Sequence, residues 1–344
     1  MRVLLVADLD LSLPGGLETH VRELARGLAA RGHEVTLRSK PASLPPFAVV
    51  ASIEPSRYDV IHHHAGAAAP GLSGAAPLVR TLHFCVAGKM AAYVRIGRLR
   101  TLVNPANWRA RAAERAAAGS RGPIIAVSRR VLEEFVRHHG LDPSRAVVIP
   151  NGAAFDAPRE ARGAWRVRHG IAEATPVLLT IGRDDFVKGH GLLGRAFARV
   201  RSEIPEALWV VAGGEAARRE PGRLTTGPIP HADVLSWIAA ADVGALPSYY
   251  EGCSVALLEM LAGGLVSLAH DVGDAAQAIR PGAGAIVPPD PEAWATALVA
   301  ALRSRRPATG PLLGPEYGWD AITERVESVY REARAAGQRP SGSC

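Results

Sequence analysis

The residues best suited to chemistry lie in two short segments, each where an apolar run gives way to a loop. The first spans 247–259 and reads Pro-Ser-Tyr-Tyr-Glu-Gly-Cys-Ser-Val-Ala-Leu-Leu-Glu. It follows a predicted strand and opens a predicted helix, so a ligand there meets the exposed amides of a helix start, which suit a phosphate. Glu251 sits in the loop, within reach of a sugar hydroxyl. Glu259 falls among Leu257, Leu258 and Leu261, where a carboxylate is costly without a hydrogen-bonding partner. Two ligand hydroxyls would supply one. The plainer alternative makes Glu251 a helix cap and leaves Glu259 in solvent or paired with an arginine. The second segment, 179–189, reads Leu-Thr-Ile-Gly-Arg-Asp-Asp-Phe-Val-Lys-Gly. Arg183 and Lys188 bracket its loop and suit a diphosphate clamp, one as a planar fork and the other as a point charge. Each charge-assisted contact would contribute about 1.5–3 kcal/mol. Two solvated surface cations are the alternative, but the scarcity of lysine gives Lys188 weight: only Lys40, Lys89 and Lys188 occur among 40 basic residues.

Weaker signals accompany these two. Gly15 and Gly16, followed by Glu18 and His20, let backbone amides approach a phosphate or sugar closely. His83 ends a predicted strand at the edge where ligands gather, although a lone histidine is more often packed or solvated. His62-His63-His64 also follows a strand. Adjacent strand residues point to opposite faces, so no metal is expected there. Asp8-Leu9-Asp10 matches the pattern that holds a diphosphate through a divalent ion. With Arg183 and Lys188 present to neutralise the diphosphate, both aspartates read as strand-end polar residues.

Such groups need a scaffold that gathers strand ends. The chain of 344 residues is 48% apolar and 21% charged, which suits a globular protein with two domains of ordinary size. An apolar run at 2–7, the glycine pair, a helix-spaced stretch at 17–31 and a strand at 34–37 open a doubly wound α/β fold. Strands at 59–62, 78–82, 124–127 and 147–149 continue it, with helices at 108–118 and 129–139. After a break the alternation restarts, with strands at 177–181, 208–212 and 243–246 and helices at 192–204, 232–240 and 254–261. The domain boundary is expected near 153–165. The net charge of +7 favours anionic partners: phosphates, acidic substrates or a membrane surface. No basic stretch interleaved with aromatics suits stacked bases, which argues against nucleic acid. Cys85, Cys253 and Cys344 form no CxxC pair, so neither a zinc site nor a disulfide framework is expected. The N-terminus turns polar too soon for a signal peptide, and the best membrane candidate, 255–269, contains Glu259. A cytoplasmic location is expected.

Taken in order, these motifs resemble glycosyltransferase family 4, whose fold is GT-B: two Rossmann-like domains facing a central cleft. The resemblance covers nearly the whole chain. It runs through Gly15-Gly16-Leu-Glu-Thr-His20, His83, Ile149-Pro-Asn-Gly152, Gly182-Arg183 to Lys188-Gly189, the pair Glu251 and Glu259, and 318–330. It implies an acceptor-binding domain at 1–155, a nucleotide-sugar domain at 156–315, and a closing helix at 316–336 that returns to the first. It also implies a retaining transferase without an obligate metal or other cofactor. Arg183 and Lys188 would stabilise the departing diphosphate, Glu259 would bind the ribose, and Glu251 the donor sugar. Amides at Gly16 and around Gly252, Cys253, Ser254 and Val255 would bind phosphate or sugar oxygens. Gly15 and Asn151 would complete the substrate site, and His83 would orient the donor sugar. Cys253 and Ser254 depart from the family's usual residues, as do the missing proline at 263–266 and the weakened glycine loop Val211-Ala-Gly-Gly-Glu215.

The expected donor is a UDP-sugar, such as UDP-glucose or UDP-N-acetylglucosamine. The expected acceptor is a small polar molecule, a sugar or cyclitol of a natural-product pathway. An alternative is a peripheral-membrane enzyme of lipid or cell-envelope glycan synthesis, because residues 89–121 carry eight basic residues, Lys89 and seven arginines, against Glu114. Nucleotide-sugar epimerases share the fold, and a catalytically silent nucleotide-binding subunit is a further rival. A nicotinamide dehydrogenase is disfavoured by the lack of a GxGxxG after a strand, and Gly88-Lys89 lacks the rest of a P-loop.

Overall fold

The computed structural model describes residues 1–13, 15–40, 43–64, 72, 76–183, 186–305 and 310–337. Asp184, Asp185 and Cys344 lie outside them. The chain divides into two units. One joins Met1–Gly152 to the segment beginning at Trp319, and the other is Ala153–Gly318.

In the first unit, β1 (Arg2–Asp10), β2 (Glu34–Lys40), β3 (Ala48–Val49), β4 (Val60–His63), β5 (Leu78–Leu82), β6 (Ile124–Ala126) and β7 (Ala146–Val148) form a parallel sheet. Their order is β3-β2-β1-β4-β5-β6-β7. Helices α1 (Gly16–Ala30), α2 (Val86–Arg95), α3 (Pro105–Gly119) and α4 (Arg129–His139) belong to this unit, as does the C-terminal helix Trp319–Gly337. Val3, Leu4, Leu5, Val6 and Ala7 are all buried, as a strand covered on both faces requires. β1 outlasts the expected 2–7 because β2 goes on pairing with it, after a register shift, as far as Asp10 and Lys40. α1 buries Val21, Leu24 and Leu28 on one stripe, and Ile322, Val326, Val329 and Tyr330 of the C-terminal helix enter the same core. α4 starts at Ser128, whose hydroxyl accepts from the Val131 N–H, and stops at Gly140 with φ 68°. α2 was not expected. Its buried residues, Val86, Ala87, Gly88 and Met90, crowd into the first turns instead of forming a stripe, so its periodicity is faint.

The second unit contains α5 (Arg162–Arg168), β8 (Val177–Ile181), α6 (His190–Glu203), β9 (Leu208–Ala212), β10 (Ala217–Glu220), β11 (Arg223–Thr226), α7 (His231–Ala240) and β12 (Val243–Leu246). It continues with α8 (Val255–Ala262), β13 (Ser267–Ala269), α9 (Ala275–Ala278), β14 (Gly284–Ile286) and α10 (Pro291–Ser304). The strand order is β10-β11-β9-β8-β12-β13-β14. Among the described strands of this sheet, only β10 runs antiparallel to its neighbour. It reads Ala-Arg-Arg-Glu and is exposed throughout, an edge strand without the apolar alternation that would mark it in sequence.

One arginine holds much of this unit together. Arg166 is 1% exposed. Its Nη2 lies 2.9 Å from Asp242 Oδ2, and its other nitrogens donate to the carbonyls of Ala240, Ala172, Glu173 and Thr175. Asp242 Oδ2 also accepts from the Val177 N–H at 2.7 Å. The guanidinium thus ties α5, the 172–175 loop, the end of α7 and the entry to β12. A buried charge held this fully is expensive to break. Arg166→Met is expected to lower unfolding free energy by about 3–5 kcal/mol in urea denaturation. A loss within the range of ordinary surface substitutions would show that the network contributes little.

Candidate functional site

In each sheet the strand order reverses at one point, and ligands of open α/β sheets bind beyond the carboxyl ends of the strands there. In the second unit that point lies between β8 and β12. The chain leaving β8 passes Gly182, with φ 126°, and makes a 3-10 turn at Phe186–Lys188 before Gly189 opens α6. Gly189 has φ 71°, and a Cβ there would lie 1.9 Å from the Pro247 carbonyl oxygen. Only glycine fits both constraints. The two loops are also joined by the Tyr249 N–H, which donates to the Val187 carbonyl at 2.9 Å. The Lys188 stem lies over Gly182, and its Nζ meets Glu251 Oε1 at 2.8 Å.

The capping alternative for Glu251 is therefore wrong. Ser254 caps α8, accepting from the Leu257 N–H, and leaves Glu251 to the lysine. Glu259 is 5% exposed and takes a 2.7 Å hydrogen bond from His231 Nε2, so it is neither solvated nor paired with an arginine. Gly252, Cys253, Ser254 and Val255 line the turn between the two glutamates and are buried, whereas Arg183 is exposed. In the loop at 211–215, Gly213 adopts φ 98° and its N–H donates to Thr226 Oγ1.

Asp274 was missed by the sequence reading. It follows Gly273, whose φ is 57° and where a Cβ would come within 2.6 Å of the Gly252 carbonyl oxygen. Its carboxyl is buried, with Oδ2 lacking a hydrogen-bond partner. Burial pushes it up to about 6, a hydrogen bond from Cys253 pulls it down, and the charge of Glu251 pushes it up again.

In the first unit the order reverses between β1 and β4. Five histidines gather by the ends of β1, β4 and β5. His20, on α1 just beyond Gly15 and Gly16, shares a 2.9 Å hydrogen bond with Asn151 through Nδ1. Its ring stands edge-on to His83, centroids 4.8 Å apart. His64 Nδ1 is 3.3 Å from His83 Nε2, and the rings of His62 and His64 lie 3.9 Å apart. His62 is held by Tyr330 Oη at 2.6 Å and Thr81 Oγ1 at 2.7 Å, while His63 turns to Arg80. His83 is thus one of a cluster, not a lone residue. Burial lowers His62, His64 and His83 well below the usual histidine range, and neighbouring histidines lower them further. Burial takes His20 down to about 4, against the raising effect of its bond to Asn151. The cluster is neutral at ordinary pH, and Nε2 of both His20 and His64 lacks a protein partner. The alternation His62-x-His64 at a strand end was the available signal, since residues two apart share a face. One ligand nitrogen from each of His20, His64 and His83 lies within 4.8 Å of the others. Asp8 pairs with Arg38, and Asp10 accepts from Ser12.

Residues 175–304 match the family described as Glycosyl transferases group 1, and residues 38–156 match Glycosyltransferase Family 4. The D-inositol 3-phosphate glycosyltransferase of Xylanimonas cellulosilytica is 27% identical, over 95% of this chain and 93% of that protein. Sucrose-phosphate synthase from Thermosynechococcus elongatus superimposes with a TM-score of 0.70 at 20% identity, over 98% of this chain and 100% of the other. The Anabaena protein HepE in complex with UDP-glucose gives 0.66 at 16% identity, over 98% and 99%. Among the described residues no helix is long and apolar enough to cross a membrane.

The raised carboxyl of Asp274 has a consequence for stability. The unfolded chain releases this proton near 3.8 and the native chain near 6. Native stability is therefore fullest below the lower value and falls as pH rises through the interval. Asp274→Asn is expected to leave Tm nearly unchanged at pH 4 and to raise it at pH 8. Equal shifts at the two pH values would contradict the assignment.

Proposed function

The chain belongs to glycosyltransferase family 4, a GT-B fold retaining glycosyltransferase that uses a nucleotide-sugar donor, and from that premise we propose that the donor is a UDP-sugar and the acceptor a hydroxyl of a small sugar or cyclitol. The observation that carries the donor site is the Lys188–Glu251 pair at the β8/β12 reversal. The side chains of the pair keep 25% and 15% of their surface in contact with solvent, so an arriving diphosphate can reach the lysine and exchange the partners. Lys188 then turns to the phosphates, with Arg183 alongside, and Glu251 is released to a hydroxyl of the donor sugar. Glu259, already held by His231, presents its carboxylate to the ribose. The amides from Gly252 to Val255 and at Gly16 receive phosphate or sugar oxygens.

As the bond from the anomeric carbon to the diphosphate lengthens, positive charge grows on the sugar and negative charge on the leaving oxygen. Arg183 and Lys188 act where that negative charge develops. The acceptor proton passes to a phosphate oxygen. His83, neutral by burial, accepts or donates hydrogen bonds to the sugar without adding a like charge beside the cationic carbon. Gly15 and Asn151 support this arrangement, Asn151 by fixing His20. A uridine base is supported by the HepE complex with UDP-glucose, and a cyclitol acceptor by the D-inositol 3-phosphate relative.

Thermal unfolding with UDP, GDP, ADP and their glucose conjugates tests the donor, since ligands of the native state raise Tm by mass action. The UDP series is expected to give the largest rise. Lys188→Ala should weaken UDP binding about ten- to a hundredfold, the loss of one charge-assisted contact. A folded protein that responds to none of them, or a Lys188→Ala variant that binds as wild type, would refute this donor site.

A membrane-bound acceptor is favoured by one surface feature. Leu99, Leu102, Val103 and Trp108 are 59%, 44%, 78% and 50% exposed, beside the exposed Arg95, Arg98, Arg100 and Arg109. Apolar tips flanked by arginines suit an anionic bilayer surface. In that case the chain would sediment with phosphatidylglycerol vesicles and not with phosphatidylcholine, and Val103→Ser with Trp108→Ser would abolish it. Absence of the wild-type chain from both pellets leaves the small polar acceptor as the reading.

A further inference from the structure

We propose that Cys85, Glu114 and His139 form a zinc site that clamps the helical layer of the first unit. The three residues come from separate elements: Cys85 immediately precedes α2, Glu114 lies on α3, and His139 ends α4. Cys85 is fully buried, Glu114 is 1% exposed and His139 8%. Their donor atoms converge. Cys85 Sγ is 3.7 Å from His139 Nε2 and 3.9 Å from Glu114 Oε2, and those two atoms are 3.0 Å apart.

These spacings fit an ion. With zinc bonds of about 2.3 Å to sulfur and about 2.0–2.1 Å to nitrogen or oxygen, tetrahedral ligand atoms sit about 3.3–3.6 Å from one another. Every observed edge lies close to that range, so binding needs only small side-chain shifts. The carboxylate is also prearranged. Its Oε1 accepts from the Val86 N–H at 2.7 Å, which leaves Oε2 facing the sulfur and the imidazole. Outer hydrogen bonds of this kind orient metal ligands. The donor set decides the metal. Thiolate, imidazole and carboxylate suit zinc, and oxygen-seeking magnesium or calcium would not choose a sulfur. One thiolate and one carboxylate balance the divalent charge, so the complex is neutral where a lone charge would be costly. The thiol proton leaves to solvent as the bond to zinc forms.

The sequence expectation of no zinc rested on the missing CxxC pair. Here the ligands are 29 and 25 residues apart and the fold alone assembles them. Ligation would fix α2 against α3 and α4. It would also anchor the segment that leaves β5, in which His83 lies two residues before Cys85. This inference does not depend on the donor or the acceptor.

Cobalt(II) is the probe, because sulfur ligation gives a near-ultraviolet charge-transfer band that histidines alone do not. The reduced, chelator-treated full chain is titrated with Co²⁺. We expect a band saturating at one equivalent and bleached by Zn²⁺. It should be lost in Cys85→Ser, kept in the Cys253→Ser/Cys344→Ser double variant, and shifted to about tenfold or more higher Co²⁺ concentration in His139→Gln and Glu114→Gln. Circular dichroism establishes that each variant is folded. If Cys85→Ser does not fold, the wild-type band and its weakening in His139→Gln carry the test. Cobalt uptake without the sulfur band, as at His20, His64 and His83, would overturn the proposal. So would a band that survives Cys85→Ser, or one unaffected by His139→Gln.

Discussion

The chain leaving β8 passes the chain leaving β12 so closely that no side chain fits at position 189. Gly189 would place a Cβ 1.9 Å from the Pro247 carbonyl oxygen, and Tyr249 donates across the same gap to Val187. This close approach sets Lys188 and Glu251 2.8 Å apart and orients the turn that Ser254 caps. It depends in turn on the parallel pairing of β8 with β12, which puts both loops at one edge of the sheet. The charged site is a product of backbone geometry before it is a product of side chains.

The two units solve the problem of buried polarity in different ways. In the first, five histidines are held neutral, and burial is the main cause at each of them. Neutral imidazoles can offer a donor or an acceptor to a sugar hydroxyl without adding charge. In the second, charges are kept and paired in Arg166 with Asp242 and Lys188 with Glu251, and the Glu259 carboxylate takes a hydrogen bond from His231. The Arg166–Asp242 pair is closed off from solvent, whereas Lys188 and Glu251 both keep partial contact with it, so the second pair is the one open to exchange.

The packing that supports these sites is plain by comparison. β1 is apolar on both faces, α1 and the C-terminal helix share one core through Leu24, Leu28, Ile322 and Tyr330, and Phe197 of α6, Trp294 of α10 and Trp209 of β9 share the other. Tyr330 does more than pack, since its hydroxyl is bonded to His62. The C-terminal helix is therefore tied to the histidine cluster by a polar contact inside an apolar interface, where such a contact has a strong directional effect.

The sequence alone determined the alternation of strands and helices, because parallel strands are continuous apolar runs and the helices carry a periodic stripe. The strand Leu78–Leu82, the helix Arg129–His139 and the strands Val177–Ile181, Leu208–Ala212 and Val243–Leu246 were legible for that reason. Lys188 and the pair Glu251 and Glu259 stood out because charges at strand ends and inside apolar helix segments are costly without a use. The short strands β13 and β14, the exposed β10 and the helix α2 carry no such periodicity, and only their tertiary neighbours form them. Partners were decided the same way. That Glu259 bonds to His231 and not to an arginine, that Arg166 is a buried staple among many surface arginines, and that Cys85 meets Glu114 and His139 all follow from contacts between residues far apart in the chain. Residue type and local spacing encode what a group can do, and only the packed chain brings it the group it acts with.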